Sequence, residues 1–158
     1  MLKKQPTALK CLAKEMDFDM LCLQETKLQE MHLDDPKLNL RALLKEDGYD
    51  DYWSCSTARK GYSGTAVFVK HREITSAPEL PISVKNLIAT DVSFKIGKEI
   101  DNEGRTVVVK FPWATIVNVS TSSPKIFFWS HRFLNSLPKF AGVCSKLRPR
   151  FEEIRLPC

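Results

Sequence analysis

Residues 19–27 read DMLCLQETK, and the apolar run Met20 to Leu23 inside this stretch decides the fold class. Four consecutive apolar residues are too few for a helix. They suit a strand buried on both faces, as found where a sheet is covered by helices. Glu25 then falls just past the carboxyl end of that strand. Upstream, Leu9, Leu12, Ala13 and Met16 recur at helical spacing with Lys10 and Lys14 beside them, which predicts an amphipathic helix over 6–16. Asp17 to Asp19 interrupts it. Downstream, Thr26 followed by Gln29 fits a capping box, and Asp35-Pro36 fits an N-cap with proline in the first turn. A second helix is expected to run to about Glu46, where Gly48 stops it. Tyr49 to Ser56 reads as a strand, Thr57 to Gly64 as a glycine-punctuated turn and Thr65 to Lys70 as the partner strand, a hairpin with a loop of roughly six to eight residues.

Farther along, Glu73 to Ser76 and Asp91 to Ile96 are weak strand candidates separated by Pro78 and Pro81. Asp101-Asn102-Glu103-Gly104 is a turn signal that leads into strands over Arg105 to Phe111 and Ala114 to Ser120. Past Ser120 the pattern changes. Pro124, Pro138, Pro149 and Pro157 break up the tail, the Ile126 to Trp129 apolar cluster has no evident partner, and no helical or alternating period persists. A helix, a buried strand, a second helix and a series of strands make an α/β arrangement, and no internal repeat is present.

Composition limits the function classes. The 158 residues, 43% hydrophobic and 27% charged, suit one soluble domain or part of one. No stretch approaches the roughly 18 consecutive apolar residues of a membrane span, and the N-terminus leads into no apolar signal segment; an intracellular protein without a membrane partner is expected. The five cysteines are widely spaced, with no C-x-x-C pair, and read as reduced thiols. His32, His71 and His131 are equally scattered. The net charge of +5 is uneven: residues 1–120 carry 17 Lys+Arg against 17 Asp+Glu, and residues 121–158 carry seven against two. The excess of positive charge therefore belongs to the tail and says nothing about the first 120 residues.

Four segments, in order, resemble motifs of the exonuclease III and apurinic/apyrimidinic endonuclease branch of the endonuclease/exonuclease/phosphatase superfamily: DMLCLQETK at 19–27, YWS at 52–54 with GYSG at 61–64, DNEGR at 101–105, and ATIVNV at 114–119. The resemblance implies a partial α/β sandwich of that superfamily, about one half of it, with a poorly ordered C-terminal tail. Residues 1–120 would form the partial domain and 121–158 a basic tail without family likeness. What remains would be about half of a fold whose two sheets pack face to face, so the surviving sheet should expose an apolar face unless the tail or another chain covers it.

The same resemblance implies hydrolysis of a DNA phosphodiester beside an abasic site, with Mg²⁺ (or Mn²⁺) as cofactor, duplex DNA with abasic sites as partner, and the nucleus as compartment from the repair role. Glu25, as the glutamate of QET, is the implied metal ligand. A hard cation that keeps several waters needs only one or two rigid carboxylates beside a phosphate. Taken alone, a glutamate here would be a helix-start acid meeting the dipole. Gly61, Tyr62 and Gly64 match a loop that approaches the DNA backbone, with Arg59 and Lys60 as phosphate partners, or else form only a hairpin turn. Lys27 either offers charge to a phosphate or sits on a solvated turn.

Arg105 is expected to pair with acids at a strand start, and Asn118 to satisfy neighbouring backbone. Core packing is the expected role of Trp53, Trp113 and Trp129, although each could stack on a base. The family's opening W-N-x-N-G strand and its later Y-x-P-N, G-D-x-N and S-D-H motifs do not occur in this sequence, and Ser120 stands where the tyrosine of Y-x-P-N is expected. A chain truncated at both ends, without a complete catalytic set and inactive as it stands, follows from that. The alternative is a non-catalytic DNA- or protein-binding fragment.

Overall fold

The computed structural model describes residues 6–71, 87–96, 101–112, 114–121 and the backbone of 140–144. The helix read from the apolar spacing is α1, Pro6–Met16. The apolar run is β1, Met20–Gln24, and the hairpin is β2, Tyr49–Ser54, with β3, Thr65–Lys70. Its connection runs from Cys55 to Gly64, longer than the six to eight residues expected. Three further strands follow: β4, Asp91–Ser93; β5, Thr106–Lys110; and β6, Thr115–Val119. The candidate strand over 73–76 lies outside the described residues. A last strand, β7, covers Phe140–Cys144 in the segment whose sequence pattern suggested no element.

The strands form two sheets, ordered β2-β3-β1-β7 and β4-β5-β6. β1 pairs antiparallel with β3, Gln24 opposite Thr65, and parallel with β7, Met20 opposite Phe140. Alternation along β1 and β3 builds two cores. Leu21, Leu23, Ala66 and Phe68 face Leu9 and Ala13 of α1 together with Leu28, Leu33, Leu40 and Leu44. Met20, Val67 and Val69 face Val107, Val109 and Phe111 of the second sheet. The central strands are thus covered on both sides, the arrangement that the unbroken apolar run of β1 requires.

This two-sheet packing corrects the expectation of a single surviving sheet with an open apolar face. The first sheet has both faces covered. The exposed large apolar side chains among the described residues are scattered, at Met16, Met31, Ile88, Phe94, Ile96 and Val117.

The second helix also differs. Only Glu30–Leu33, named α2, is α-helical, with Gln29 as its N-cap in a capping box with His32. Thr26 therefore does not cap it. Asp35 caps no helix either: it opens a turn, its Oδ1 accepting from Lys37 N at 2.9 Å. Asn39 then adopts φ +46°, which ends any helix there, and only a 3-10 turn, Leu40–Ala42, follows before Gly48. The buried leucines come from separate pieces, Leu33 from α2, Leu40 from the 3-10 turn and Leu28 and Leu44 from the connecting chain, rather than from one face of a helix. The cysteines need one correction as well: Cys11 is disulfide-bonded, while Cys22 and Cys55 are free thiols. Sequence spacing carries no information about which cysteines meet in space.

Candidate functional site

β1 does not simply stop at Gln24. Glu25 turns into the left-handed region at φ +54° and Lys27 repeats the turn at φ +56°, facing Ser63 at φ +47°. The two segments interlock, Thr26 N donating to Gly64 O at 3.0 Å and Lys27 N to Ser63 O at 2.8 Å. Three non-glycine residues in a sparsely populated conformation at one place cost about 1–3 kcal/mol each. Such strain persists where surrounding structure enforces it, often at functional sites.

The far end of β6 is tied to the same place. Gln24 Nε2 donates to Val119 O at 2.9 Å and to Asn118 Oδ1 at 3.2 Å. Asn118 Nδ2 donates to Leu23 O and Ala66 O, both at 3.0 Å. The buried amide of Asn118 therefore fastens the second sheet to the first, and by doing so brings Ser120 beside Glu25.

Glu25 is 6% exposed. Ser120 Oγ donates to its Oε1 at 2.8 Å, and Arg105 Nη1 stands 3.7 Å from the same oxygen. Arg105 is held by three residues: its Nε donates to Glu103, its Nη1 to Ser120 O at 3.2 Å, and its Nη2 to the hydroxyl of Tyr62, whose ring centroid lies 5.0 Å from the guanidinium. Burial alone would depress the Arg105 guanidinium, but Glu103, Tyr62 and Glu25 together hold it above its ordinary value. The expectation that Arg105 pairs with acids at a strand start is met.

The DNEGR turn is aimed by its docking on the hairpin loop. Thr57 N and Ala58 N donate to Asn102 O at 2.9 and 3.0 Å, and Thr65 Oγ1 donates to Gly104 O at 3.1 Å. Of the residues read as DNA-facing, Lys27, Arg59, Lys60 and Gly61 are exposed, Tyr62 is half-buried and Gly64 is buried behind them. Arg59 sits 5.8 Å from the Tyr62 ring centroid, so two arginines flank one tyrosine. The fold thus brings Glu25 together with Tyr62 through Arg105, and sets Lys27 beside the same loop.

Trp53 is buried, its ring edge-on to Phe68 at 5.3 Å and its Nε1 donating to Asp51, as core packing requires. Trp113 and Trp129 lie outside the described residues. Ser120 and Glu103 were not marked as site residues by the sequence. Ser120 was detectable only as the residue closing a strand whose motif matches, and Glu103 only as part of DNEGR.

Among the described residues, no group of three or more His, Cys, Asp or Glu side chains lies where it could hold a metal ion. One buried carboxylate at a strand end is a partial donor set. It fits a magnesium ion that takes its remaining ligands from water and a phosphate.

No family model matches the sequence. The exodeoxyribonuclease of Bacillus subtilis is 33% identical over 113 residues, which are 71% of this chain and 34% of that protein. The mouse DNA-(apurinic or apyrimidinic site) endonuclease 2 is 41% identical over 78 residues, 49% of this chain and 14% of that protein. Among solved structures, an AP endonuclease from Leishmania major superposes with a TM-score of 0.51 at 30% identity, covering 75% of this chain and 35% of that one. The chain therefore spans about a third or less of the length of these relatives. Over the part it shares with them, the chain is similar to exodeoxyribonuclease and to apurinic/apyrimidinic endonucleases, and its two-sheet α/β architecture matches part of theirs.

Proposed function

We propose that this chain is the front part of a DNA-repair nuclease that hydrolyses phosphodiesters at abasic sites, and that as it stands it binds duplex DNA without cutting it. The observation that carries this is the convergence of Glu25, Arg105, Tyr62 and Ser120 beside an exposed, positively charged loop. Residues 1–120 are the nuclease-derived part and 121–158 a basic tail. Arg59 and Lys60, with Lys27, would meet phosphates electrostatically, while the loop's main chain at Gly61 and Gly64 and the Tyr62 hydroxyl would give direction. Glu25 would hold Mg²⁺ or Mn²⁺ together with water and a phosphate oxygen, and the bound ion would supply charge neutralisation of that phosphate. From the repair role alone, the nucleus is the compartment proposed.

Incision needs more than this chain carries. No Y-x-P-N, G-D-x-N or S-D-H string follows Ser120, so the tyrosine, the water-positioning aspartate and the histidine of the family pattern are missing. Groups of this kind act as a unit, and losing them costs several orders of magnitude in rate. The test is a duplex oligonucleotide with one abasic site, followed by anisotropy and by gel. The expected result is salt-dependent binding with no Mg²⁺-dependent product. Neutralising Arg59 and Lys60 together should reduce the slope of log K against log salt by about 2, at roughly 0.9 per phosphate contact. Incision abolished by Glu25→Ala would show instead that the chain is a working nuclease. Absence of any duplex binding would remove both readings.

A further inference from the structure

The Glu25 carboxylate is buried, and a buried carboxylate without a counter-charge is costly. Arg105 supplies that charge from 3.7 Å. The contact is an ion pair without a hydrogen bond. Every hydrogen bond that the guanidinium makes goes elsewhere, to Glu103, to Tyr62 and to the Ser120 carbonyl. Moving away from Glu25 therefore forfeits the charge attraction and the bond to the buried Ser120 carbonyl, while Glu103 and Tyr62 lie on the outer side of the guanidinium. Two of the anchors face outward, since the Glu103 side chain is 47% exposed and Tyr62 is half-buried in the loop that carries Arg59 and Lys60.

Resting on Glu25 as the metal ligand, we propose that Arg105 is a built-in competitor for the divalent cation: its guanidinium occupies the counter-charge position at Glu25 and weakens metal binding until a phosphate at the Tyr62 loop draws it outward. The metal and the guanidinium answer the same carboxylate oxygen, which Ser120 already holds by its hydroxyl. A guanidinium 3.7 Å from that oxygen repels any second cation brought to it. A competing divalent cation feels the same charge. Arg105 is thus a positioning residue whose effect runs through Glu25, and it makes metal affinity depend on whether nucleic acid is present.

The test is Mn²⁺ binding followed by electron paramagnetic resonance of the free ion, on the full chain without DNA. Arg105→Gln is expected to bind Mn²⁺ several-fold more tightly than the unaltered chain, through loss of the charge repulsion, and Arg105→Lys to stay close to it. The gain should vanish in Arg105→Gln combined with Glu25→Gln. A second single variant guards against a folding failure of the first: Glu103→Gln removes the outward anchor, lets the guanidinium lean on Glu25, and is expected to weaken Mn²⁺ binding several-fold. Equal affinity in the unaltered chain, Arg105→Gln and Glu103→Gln, with binding lost in Glu25→Gln, would overturn the competition while leaving Glu25 as the ligand. Binding indifferent to Glu25→Gln would overturn the ligand assignment itself, and the competition with it.

Discussion

Gly104→Ala isolates the contact that aims Arg105. Gly104 has φ +64°, and a Cβ there would lie 2.5 Å from Cys55 C, 2.7 Å from Ser56 N and 2.8 Å from Cys55 O. All three atoms are backbone, so no side chain can swing aside. The left-handed conformation costs an L-residue about 1–2 kcal/mol, and forcing atoms into a packed contact adds about 1–3 kcal/mol. The variant should lose about 2–5 kcal/mol, a large share of the roughly 5–15 kcal/mol of a typical domain. With a urea m-value of about 2 kcal/mol/M, the unfolding midpoint should fall by about 1–2.5 M. Gly61→Ala is the control. Gly61 has nearly the same φ, +66°, yet nothing lies within 4 Å of its Cβ position, so only the conformational part of about 1–2 kcal/mol should appear. Equal losses in the two variants, or a loss below about 1 kcal/mol at Gly104, would refute the close docking of the DNEGR turn on the hairpin loop.

Asn118→Ala removes two donated bonds and one accepted bond from the junction between the sheets; at about 1 kcal/mol each, equilibrium denaturation should show a loss of about 2–4 kcal/mol, and an unchanged midpoint would contradict the fastening role. Burial pushes the Cys22 thiol up to about 12, and burial with the neighbouring Glu30 does the same for Cys55, so iodoacetamide at pH 8 should label both slowly in the folded chain. The protonated thiol is the folded form, while an unfolded thiol ionises near 9.0; this contribution to stability is complete below that pH and declines as pH rises from there towards 12, which a pH series of urea midpoints can check. Deleting residues 122–158 removes β7 and leaves the edge of β1 unpaired from Met20 to Gln24; the shortened chain should be less stable and should associate as its concentration rises on size exclusion, whereas a stable monomer would show that β7 is dispensable.

Elements whose residues carry their own period were legible in the sequence. The leucines of α1 and the apolar run of β1 report burial directly, and Gly61 and Gly64 punctuate the hairpin. The region between Thr26 and Gly48 was not legible, because its capping signals are real but local. Asp35 starts a turn, Gln29 rather than Thr26 caps one short helix, and Asn39 in the left-handed region ends any continuation. The leucines there pack correctly without a continuous helix. Glu25 was legible as a motif residue at a strand end. Its partners were not, because Ser120 and Arg105 meet it only through tertiary contacts, with Asn118 fastening the sheets, between residues 80 or more positions apart in sequence. The pairing of Phe140–Cys144 with β1 likewise depends on tertiary context, with no alternation in the tail to announce it.

On the proposed function, the end of β1 and the 59–64 loop form one nucleic-acid-facing surface around Glu25. Amide chemical shifts of the labelled chain, titrated with a short duplex containing one abasic site, test it most directly. The account predicts that the largest changes fall on Lys27, Arg59 to Gly64 and Arg105, with Glu25 and Ser120 following on addition of Mg²⁺. Changes concentrated on β4 and the exposed face of β6 around Val117, with the Glu25 neighbourhood undisturbed, would contradict it.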